Sequence, residues 1–145
     1  MPLQLRPLMQ TSTPISEQLY ETIYVSTLTP GRPVSSVGDI AGKARASNPM
    51  RGITGLLIFD GMRFCQQFEG VKNEVVGLME KIRLDPRHTN LEIVHQDELA
   101  SRRFKNFSLG YTTVEDPEVL ARLEKLRGLA AVSAFVALLS QVDSA

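Results

Sequence analysis

The chain has 145 residues, one cysteine and a formal charge of zero, from 16 basic and 16 acidic residues. This length fits one domain with a substantial core, and the neutral charge provides no basic surface for nucleic acid. The single cysteine excludes an internal disulfide framework, and the two histidines are not spaced as a metal-binding pair, so we expect no metal site. No apolar run is long enough to span a membrane and no signal peptide is recognisable, so we expect a cytoplasmic protein.

The predicted elements begin after a stretch rich in Pro, Thr, Ser and Gln at residues 1–16, which we interpret as a flexible leader. Leu19 to Leu28 is typical of a strand. A helix is predicted from about Ser35 to Asn48-Pro49, because the residue before a proline is pushed out of the helical region.

A β-hairpin and a second helix follow. Gly52 to Asp60 is predicted as a buried strand with apolar residues on both faces. Asp60-Gly61 is a hairpin signal, and Met62 to Phe68 is the antiparallel partner strand. Asn73 to Leu84 is predicted as the second helix. Two more strands come after it: Leu91 to Glu98 and Phe104 to Thr112.

This order predicts an α+β fold with a βαββαββ sheet that resembles a ferredoxin-like sandwich with an added strand. The remaining segment, Pro117 to Val142, is helical in pattern and broken at Gly128. Leu129 to Leu139 is apolar around most of its circumference and must be covered. We therefore expect the two early helices on one face of the sheet and the C-terminal helical pair on the other.

The predicted strand around position 66 buries an amide among aromatic side chains. Alternation places Phe64, Gln66 and Phe68 on one face, and Cys65 and Gln67 on the other. A buried amide without a partner costs about 1–3 kcal/mol per unpaired group. A polar partner is therefore expected beside this core: backbone, a buried tyrosine or a ligand.

Several short motifs occur in order along the chain. They are I-Y-V-S around Tyr24, Asn48 before Pro49, G-I-T-G-L-L from Gly52, F-C-Q-Q-F-E-G around Gln66, D-P-R-H from Asp85, and R-R-F at 102–104. In this order and spacing the chain resembles the BLUF family, the blue-light sensors that use FAD, from about Leu19 to Tyr111. The resemblance implies that the flavin ring lies between the two early helices, over one face of the sheet.

The resemblance also implies roles for individual residues. Gln66 would be the amide whose hydrogen bonds change on illumination, and Tyr24 the phenol that donates an electron and a proton to the excited flavin. Asn48 would hold the pyrimidine edge of the ring, and Lys81 would meet a flavin carbonyl. Three residues after the second helix would suit the polar side chain and phosphates of the cofactor: Asp85, Arg87 and His88.

Each of these residues also has an ordinary structural interpretation when it is taken alone. Tyr24 could be a core tyrosine, Asn48 a helix terminator, and Lys81 a solvated residue. The chain also departs from the family pattern, since Phe107-Ser108-Leu109 stands where the family commonly carries Trp-x-Met. A signal that leaves the site by exchange of that tryptophan and methionine is therefore not expected here.

These observations predict a leader at 1–16, a flavin-binding domain at 17–113, and a helical extension at 114–145 that acts as a cap or in oligomerisation. The predicted function is a non-enzymatic blue-light photoreceptor that binds FAD non-covalently, with FMN or riboflavin as alternatives. It would signal through a protein partner and form a homo-oligomer, without nucleic acid or membrane. One alternative is a small enzyme, either a flavin-dependent oxidoreductase or an acylphosphatase-like hydrolase, although the sequence offers no nucleophile–base pair. Another is an RNA-binding module on the same fold, although no strand has the basic and aromatic pattern of such modules.

Overall fold

A computed structural model of the protein describes residues 18–105 and 109–142. The strands in this part of the chain are β1 (Leu19–Leu28), β2 (Thr54–Phe59), β3 (Arg63–Val71), β4 (His88–Glu98) and β5 (Gly110–Thr113). The helices are α1 (Ser35–Arg51), α2 (Lys72–Arg83), α3 (Pro117–Leu123) and α4 (Leu129–Val142). The predicted leader, residues 1–16, lies outside the described residues.

The five strands form one sheet in the order β4-β1-β3-β2-β5. The first four strands pair in antiparallel fashion, and β5 joins β2 in parallel. Helix α1 connects β1 to β2, and α2 connects β3 to β4. Neither pair of strands is adjacent in the sheet, which gives this strand order. The predicted ferredoxin-like βαββαββ arrangement with an added strand is confirmed.

The β2–β3 hairpin forms where the sequence predicts it. The Asp60 carboxylate accepts hydrogen bonds from the backbone N–H groups of Met62 and Arg63, at 2.9 and 2.6 Å, and Gly61 adopts a φ of 100°. Next to the hairpin, β2 approaches β3 so closely that a Cβ at Gly55 would overlap the carbonyl oxygen of Gln67. The backbone of β3 next to Gln66 is therefore tightly packed against β2.

The predicted end of the first helix at Asn48-Pro49 is wrong. Helix α1 continues through Pro49 to Arg51 and ends at Gly52, whose φ of 67° is left-handed. The N–H of Gly52 bonds the carbonyl oxygens of Asn48 and Pro49 and so closes the helix. Asn48 has no exposed surface, and its burial outweighs the preference of a residue before proline for an extended backbone.

Strand β5 is shorter than the predicted Phe104 to Thr112. Phe104 lies outside the strand because its N–H donates to the Glu69 carboxylate at 2.9 Å and its ring packs against Phe135. Phe107 and Ser108 lie outside the described residues. Leu109, which directly precedes β5, is buried on the side of the sheet that carries α1.

The sheet is covered on both faces, as predicted. One face packs against the C-terminal helices: Ile23, Ile58 and Cys65 contact a cluster that includes Leu120, Phe135 and Leu138. The other face packs against α1 and α2, and its buried side chains form two clusters: Val37, Leu57, Phe59 and Phe64 under α1, and Tyr24, Phe68, Val75 and Met79 under α2. The gap between these two clusters places a cavity directly over the centre of the sheet.

Within residues 18–105 and 109–142, no helix has the length and apolar character needed to cross a bilayer. The same residues contain no group of three or more His, Cys, Asp or Glu side chains arranged to hold a metal ion.

Candidate functional site

A cavity of about 320 Å³ opens between α1 and α2, above the centre of the sheet. This volume lies at the lower end of the range of small-molecule sites, about 300–1,000 Å³. Its walls are apolar where the helices face each other and its polar groups converge from the sheet and from the helix ends. All seven residues that the sequence singles out border it: Tyr24, Asn48, Gln66, Lys81, Asp85, Arg87 and His88.

Tyr24 and Gln66 form the floor of the cavity. They are direct cross-strand partners on β1 and β3, and the Tyr24 hydroxyl donates to Gln66 Oε1 at 2.6 Å. Both side chains are almost fully buried, with 3% and 5% exposure. Burial raises the pKa of the Tyr24 phenol far above its usual value, and the negative charge of Asp85 raises it further. The phenol is therefore held in its protonated, donating form.

Asn48 borders the cavity from the last turn of α1. Its position is set by the C-terminal capping geometry, in which the Asn48 carbonyl oxygen also accepts from the N–H of Ile53 at 3.0 Å. The extension of α1 beyond Asn48 therefore fixes the backbone of this residue at the edge of the cavity.

His88 borders the cavity, but both of its ring nitrogens are engaged within the protein. Nε2 donates to the carbonyl oxygen of Ile82 at 2.6 Å, and Nδ1 shares a hydrogen bond with the Ser26 hydroxyl at 2.8 Å. The ring stands edge-on to Tyr24 and Phe64, with centroids 5.9 and 6.3 Å apart. His88 therefore offers a flat ring as a wall to a ligand, and its nitrogens are not available to a phosphate.

Asp85 and Arg87 form a forked ion pair at the mouth of the cavity. Arg87 Nε and Nη2 donate to the two Asp85 oxygens at 3.0 and 2.7 Å, and the Arg87 N–H also donates to Asp85. The side-chain hydrogen bond from Arg87 holds the pKa of Asp85 below its usual value, despite the opposing effect of burial. The negative charge of Asp85 is therefore compensated locally.

Several bordering residues were not predicted from the sequence as binding residues. Lys43 and Arg51 of α1 border the mouth together with the predicted Lys81 of α2, and Ile40 and Ala44 contribute apolar wall. The α1 residues at 40, 44, 47–48 and 51 recur at helical spacing, so the periodicity counted from Asn48 could have found them.

A second polar cluster, also not predicted, lies on the opposite face of β3. Gln67 Nε2 donates to both Glu21 and Glu69, at 3.0 and 2.9 Å, and Arg103 forms a forked pair with Glu21 at 2.8 and 3.0 Å. His95 Nε2 lies 3.3 Å from the same Glu21 carboxylate. Gln67 Oε1 has no hydrogen-bond partner among the described residues. We refer to Glu21, Gln67, Glu69, His95 and Arg103 as the tail-side network.

The R-R-F motif at 102–104 fastens the segment before β5 to this network. Arg102 Nη1 donates to the Thr54 hydroxyl at 2.8 Å, and the backbone N–H groups of Arg103 and Phe104 donate to the Glu69 carboxylate, both at 2.9 Å. The Phe104 ring then meets Phe135 of α4, with centroids 6.4 Å apart. The strand that carries Gln66 is thus connected to the C-terminal helices.

The residues around the cavity fit a flavin. The buried phenol–amide pair and the Asn48 amide suit the polar edge of an isoalloxazine ring, and the apolar helix walls suit its body. The basic residues at the mouth suit a phosphorylated side chain.

Comparisons with known proteins agree with this geometry. The chain is 33% identical over 82 residues to the blue light- and temperature-regulated antirepressor BluF of Escherichia coli. The aligned region is 57% of this chain and 20% of that protein. It is 40% identical over 81 residues to the photoactivated adenylate cyclase subunit beta of Euglena gracilis, or 54% of this chain and 9% of that protein. The chain thus spans a fifth or less of these two curated relatives.

A solved structure matches over a larger share of its length. The dark-state structure of BlrB, a BLUF protein, superposes with a TM-score of 0.71 at 28% identity, covering 83% of this chain and 93% of that one. The family profile that describes BLUF proteins as sensors of blue light using FAD matches residues 19–110. This chain therefore belongs to the BLUF family.

Proposed function

We propose that this chain senses blue light through a flavin bound non-covalently in the cavity between α1 and α2. The observation that carries the proposal is the hydrogen bond of 2.6 Å from the Tyr24 hydroxyl to Gln66 Oε1, buried at the cavity floor. When bound, the flavin supplies blue-light absorption and an excited state that takes up an electron and a proton.

Tyr24 supplies the electron and the proton in this proposal. A phenol is a good electron donor only if its proton has an acceptor, and the Gln66 oxygen is positioned to take part in that transfer. Because burial raises the pKa of Tyr24, the proton stays on the phenol in the dark. Tyr24 then recovers both the electron and the proton, again in contact with Gln66, which resets the site.

Gln66 converts this transfer into a change of hydrogen bonding. Its amide carries an acceptor at one atom and donors at the other, so rotation or tautomerisation exchanges the groups that face Tyr24 and the cavity. The register of β1 against β3 places Tyr24 directly beside Gln66, so this change takes place within hydrogen-bond reach of the phenol. In a buried, low-dielectric site the two hydrogen-bonded arrangements are energetically distinct.

We assign the remaining cavity residues to cofactor binding. Asn48 would hold the pyrimidine edge and Lys81 a carbonyl of the ring. Asp85 and Arg87, as one ion pair, would meet the polar side chain, and His88 would contribute its ring as a wall. We propose FAD as the natural cofactor, although FMN and riboflavin carry the same ring.

We further propose that the signal crosses the sheet through β3. Gln66 and Gln67 are adjacent, and a change at Gln66 would be felt by the tail-side network on the other face. That network holds Phe104 through Glu69, and Phe104 contacts α4. This route does not require the tryptophan and methionine that the chain lacks at positions 107 and 109.

The C-terminal helices are the proposed output of the domain formed by residues 17–113. Helix α4 contains no charged residue, and its outer face exposes Leu129 and Val136 at 82% and 44%. We propose that this face, within the extension at 114–145, forms a homo-oligomer or receives a downstream protein partner. Light scattering that finds only monomer, in light and in darkness, would contradict the oligomer.

This role is photochemical rather than enzymatic, and we propose that the protein acts in the cytoplasm without nucleic acid. Membership of a photosensor family does not favour the flavin-dependent oxidoreductase that the sequence left open. The photoactivated adenylate cyclase subunit beta of Euglena gracilis matches this chain over only 9% of its own length, so its activity is not carried over.

Illumination of the purified protein tests the proposal. We expect bound flavin, a small red shift of its absorption in blue light, and recovery in darkness. Tyr24→Phe should retain flavin but lose the shift, because the donating hydroxyl is gone. Tyr111→Phe, which removes a hydroxyl from a tyrosine that is 40% exposed on β5, is the matched control and should retain the shift. An undiminished shift in Tyr24→Phe would refute the assigned role.

A further inference from the structure

Helix α1 forms one wall of the cavity along most of its length. Its bordering residues lie on one face of the helix: Ile40, Lys43, Ala44, Ser47, Asn48 and Arg51. The helix buries four of its 17 residues, and the apolar ones among them are the small side chains of Val37 and Ala41. Because packing of an apolar face supplies most of the stability of a helix in a protein, a ligand in the cavity would complete the packing of α1.

Two glycines in the middle of α1 weaken the helix. Gly38 and Gly42 are exposed, neither has a left-handed φ, and a Cβ on either would meet no described atom within 4 Å beyond its own helix turns. No turn and no close approach within the described part of the chain therefore requires a glycine at these positions. Glycine still lowers the stability of a helix, because it loses the most backbone freedom on folding.

The two ends of α1 differ in how firmly they are held. Among the described residues no side chain caps the start of the helix at Val34, and the first turn carries no acidic residue. The last turn is closed by the Gly52 N–H, which bonds two carbonyl oxygens of the helix. Between the two ends, Pro49 has no N–H to give to the carbonyl oxygen of Arg45, so the helical ladder is interrupted there. Residues 35–45 are therefore the less firmly held part of α1.

The closed position of residues 35–45 has contacts of its own. Val37 and Ala41 pack in the cluster that contains Leu57. Arg45 Nε donates to the carbonyl oxygen of Leu109 at 3.3 Å, which joins α1 to the segment that enters β5. An open form is therefore a minor state, and under that condition the stability of the helix controls how often it forms.

We propose that residues 35–45 are the gate through which flavin enters and leaves the cavity, and that Gly38 and Gly42 set how often the gate opens. The last turn of α1, which carries Asn48, remains in place as the fixed side of the opening. The gate rests on the proposed flavin-binding function and adds to it the route and the rate of flavin exchange.

Flavin exchange in the loaded protein tests the gate. Protein that carries FMN is diluted into an excess of isotopically labelled FMN, and the labelled fraction of the bound flavin is followed by mass spectrometry after rapid desalting. Alanine in place of one exposed glycine favours a helix by about two- to fivefold, so Gly38→Ala/Gly42→Ala should slow the exchange by roughly fivefold to thirtyfold.

Gly77→Ala is the matched control for the double variant. Gly77 is an exposed glycine of α2, and an added Cβ there also meets no described atom within 4 Å beyond its own helix turns. Because α2 is not the element that opens, this variant should change the exchange rate by less than about twofold.

The rate of FMN uptake separates a gate from tighter binding. A gate slows entry and release together, so the double variant should also take up FMN more slowly by a similar factor, as followed by flavin fluorescence after rapid mixing with the flavin-free chain. Its dissociation constant should then stay within about threefold of wild type. The gate is refuted if the double variant exchanges FMN at the wild-type rate, if Gly77→Ala slows exchange as much, or if release alone is slowed. Protein that binds no flavin at all would overturn the proposed function instead.

Discussion

Replacing Glu69 by glutamine measures how strongly the tail-side network holds the segment before β5. Glu69 is fully buried and accepts four hydrogen bonds. Oε1 accepts from Gln67 Nε2 and the Arg103 N–H, and Oε2 accepts from the Thr54 hydroxyl and the Phe104 N–H, all between 2.7 and 2.9 Å. An amide at this position keeps the shape but has only one oxygen.

The expected cost follows from that count. In Glu69→Gln one oxygen becomes an NH2 group, so two of the four donors lose their acceptor and face another donor. A buried polar group without a partner costs about 1–3 kcal/mol, so after partial relaxation we expect the free energy of unfolding to fall by about 2–4 kcal/mol. The loss is large relative to the total stability of a typical domain, about 5–15 kcal/mol.

Urea denaturation at pH 7, with wild type and variant carrying the same bound flavin, gives this difference directly. Glu118→Gln is the matched control, because Glu118 pairs with Arg122 at 3.7 Å across an exposed helix turn. This control should change the free energy of unfolding by less than about 0.5 kcal/mol. A Glu69→Gln effect no larger than that of the control would refute the account of the network.

Two further predictions concern the stability of the sheet. Burial alone raises the pKa of Glu21, but hydrogen bonds from Arg103 and Gln67 outweigh it and hold the pKa below its usual 4.5. The ionised Glu21 therefore stabilises the folded state fully above about pH 4.5, and this stabilisation is lost as the pH falls further. Glu21→Gln should reduce the fall in the free energy of unfolding on the acid side of a stability–pH curve. An unchanged slope would contradict this. Gly55→Ala should lower the free energy of unfolding by more than about 3 kcal/mol, because the added Cβ overlaps the backbone of β3. The control is Gly42→Ala in α1, where an added Cβ meets open space, and it should be neutral or stabilising. Equal urea midpoints for the two variants would contradict this prediction.

The sequence predicted the elements that have strong local signals. The Asp60-Gly61 hairpin and the break at Gly128 are both present, since each depends on turn chemistry within a few residues. Alternation along β3 also placed Gln66 and Gln67 on opposite faces correctly. The end of α1 was wrong because burial of Asn48 is a tertiary effect that a dipeptide preference cannot register.

The site was accessible from the sequence only in part. Tyr24 and Gln66 were identified by their motifs. Their pairing depends on the register of β1 against β3, which the sequence alone does not specify. The tail-side network was missed: Gln67 and Arg103 lie in quoted motifs, but their contacts with Glu21 join three separate segments, which no local pattern indicates. Likewise, the hydrogen bond of His88 Nδ1 joins two motifs that lie 62 residues apart, because its partner is the Ser26 hydroxyl, and only the fold brings them together.

The light-minus-dark absorption difference of Gln66→Leu tests most directly whether this amide is the element that responds to light. Leucine keeps approximately the same volume but can neither accept from Tyr24 nor donate to a flavin. We predict that Gln66→Leu retains yellow, bound flavin and shows no reversible red shift, while Gln96→Leu, the same substitution at an exposed position on β4, behaves as wild type. A reversible red shift of wild-type size in Gln66→Leu would contradict the account.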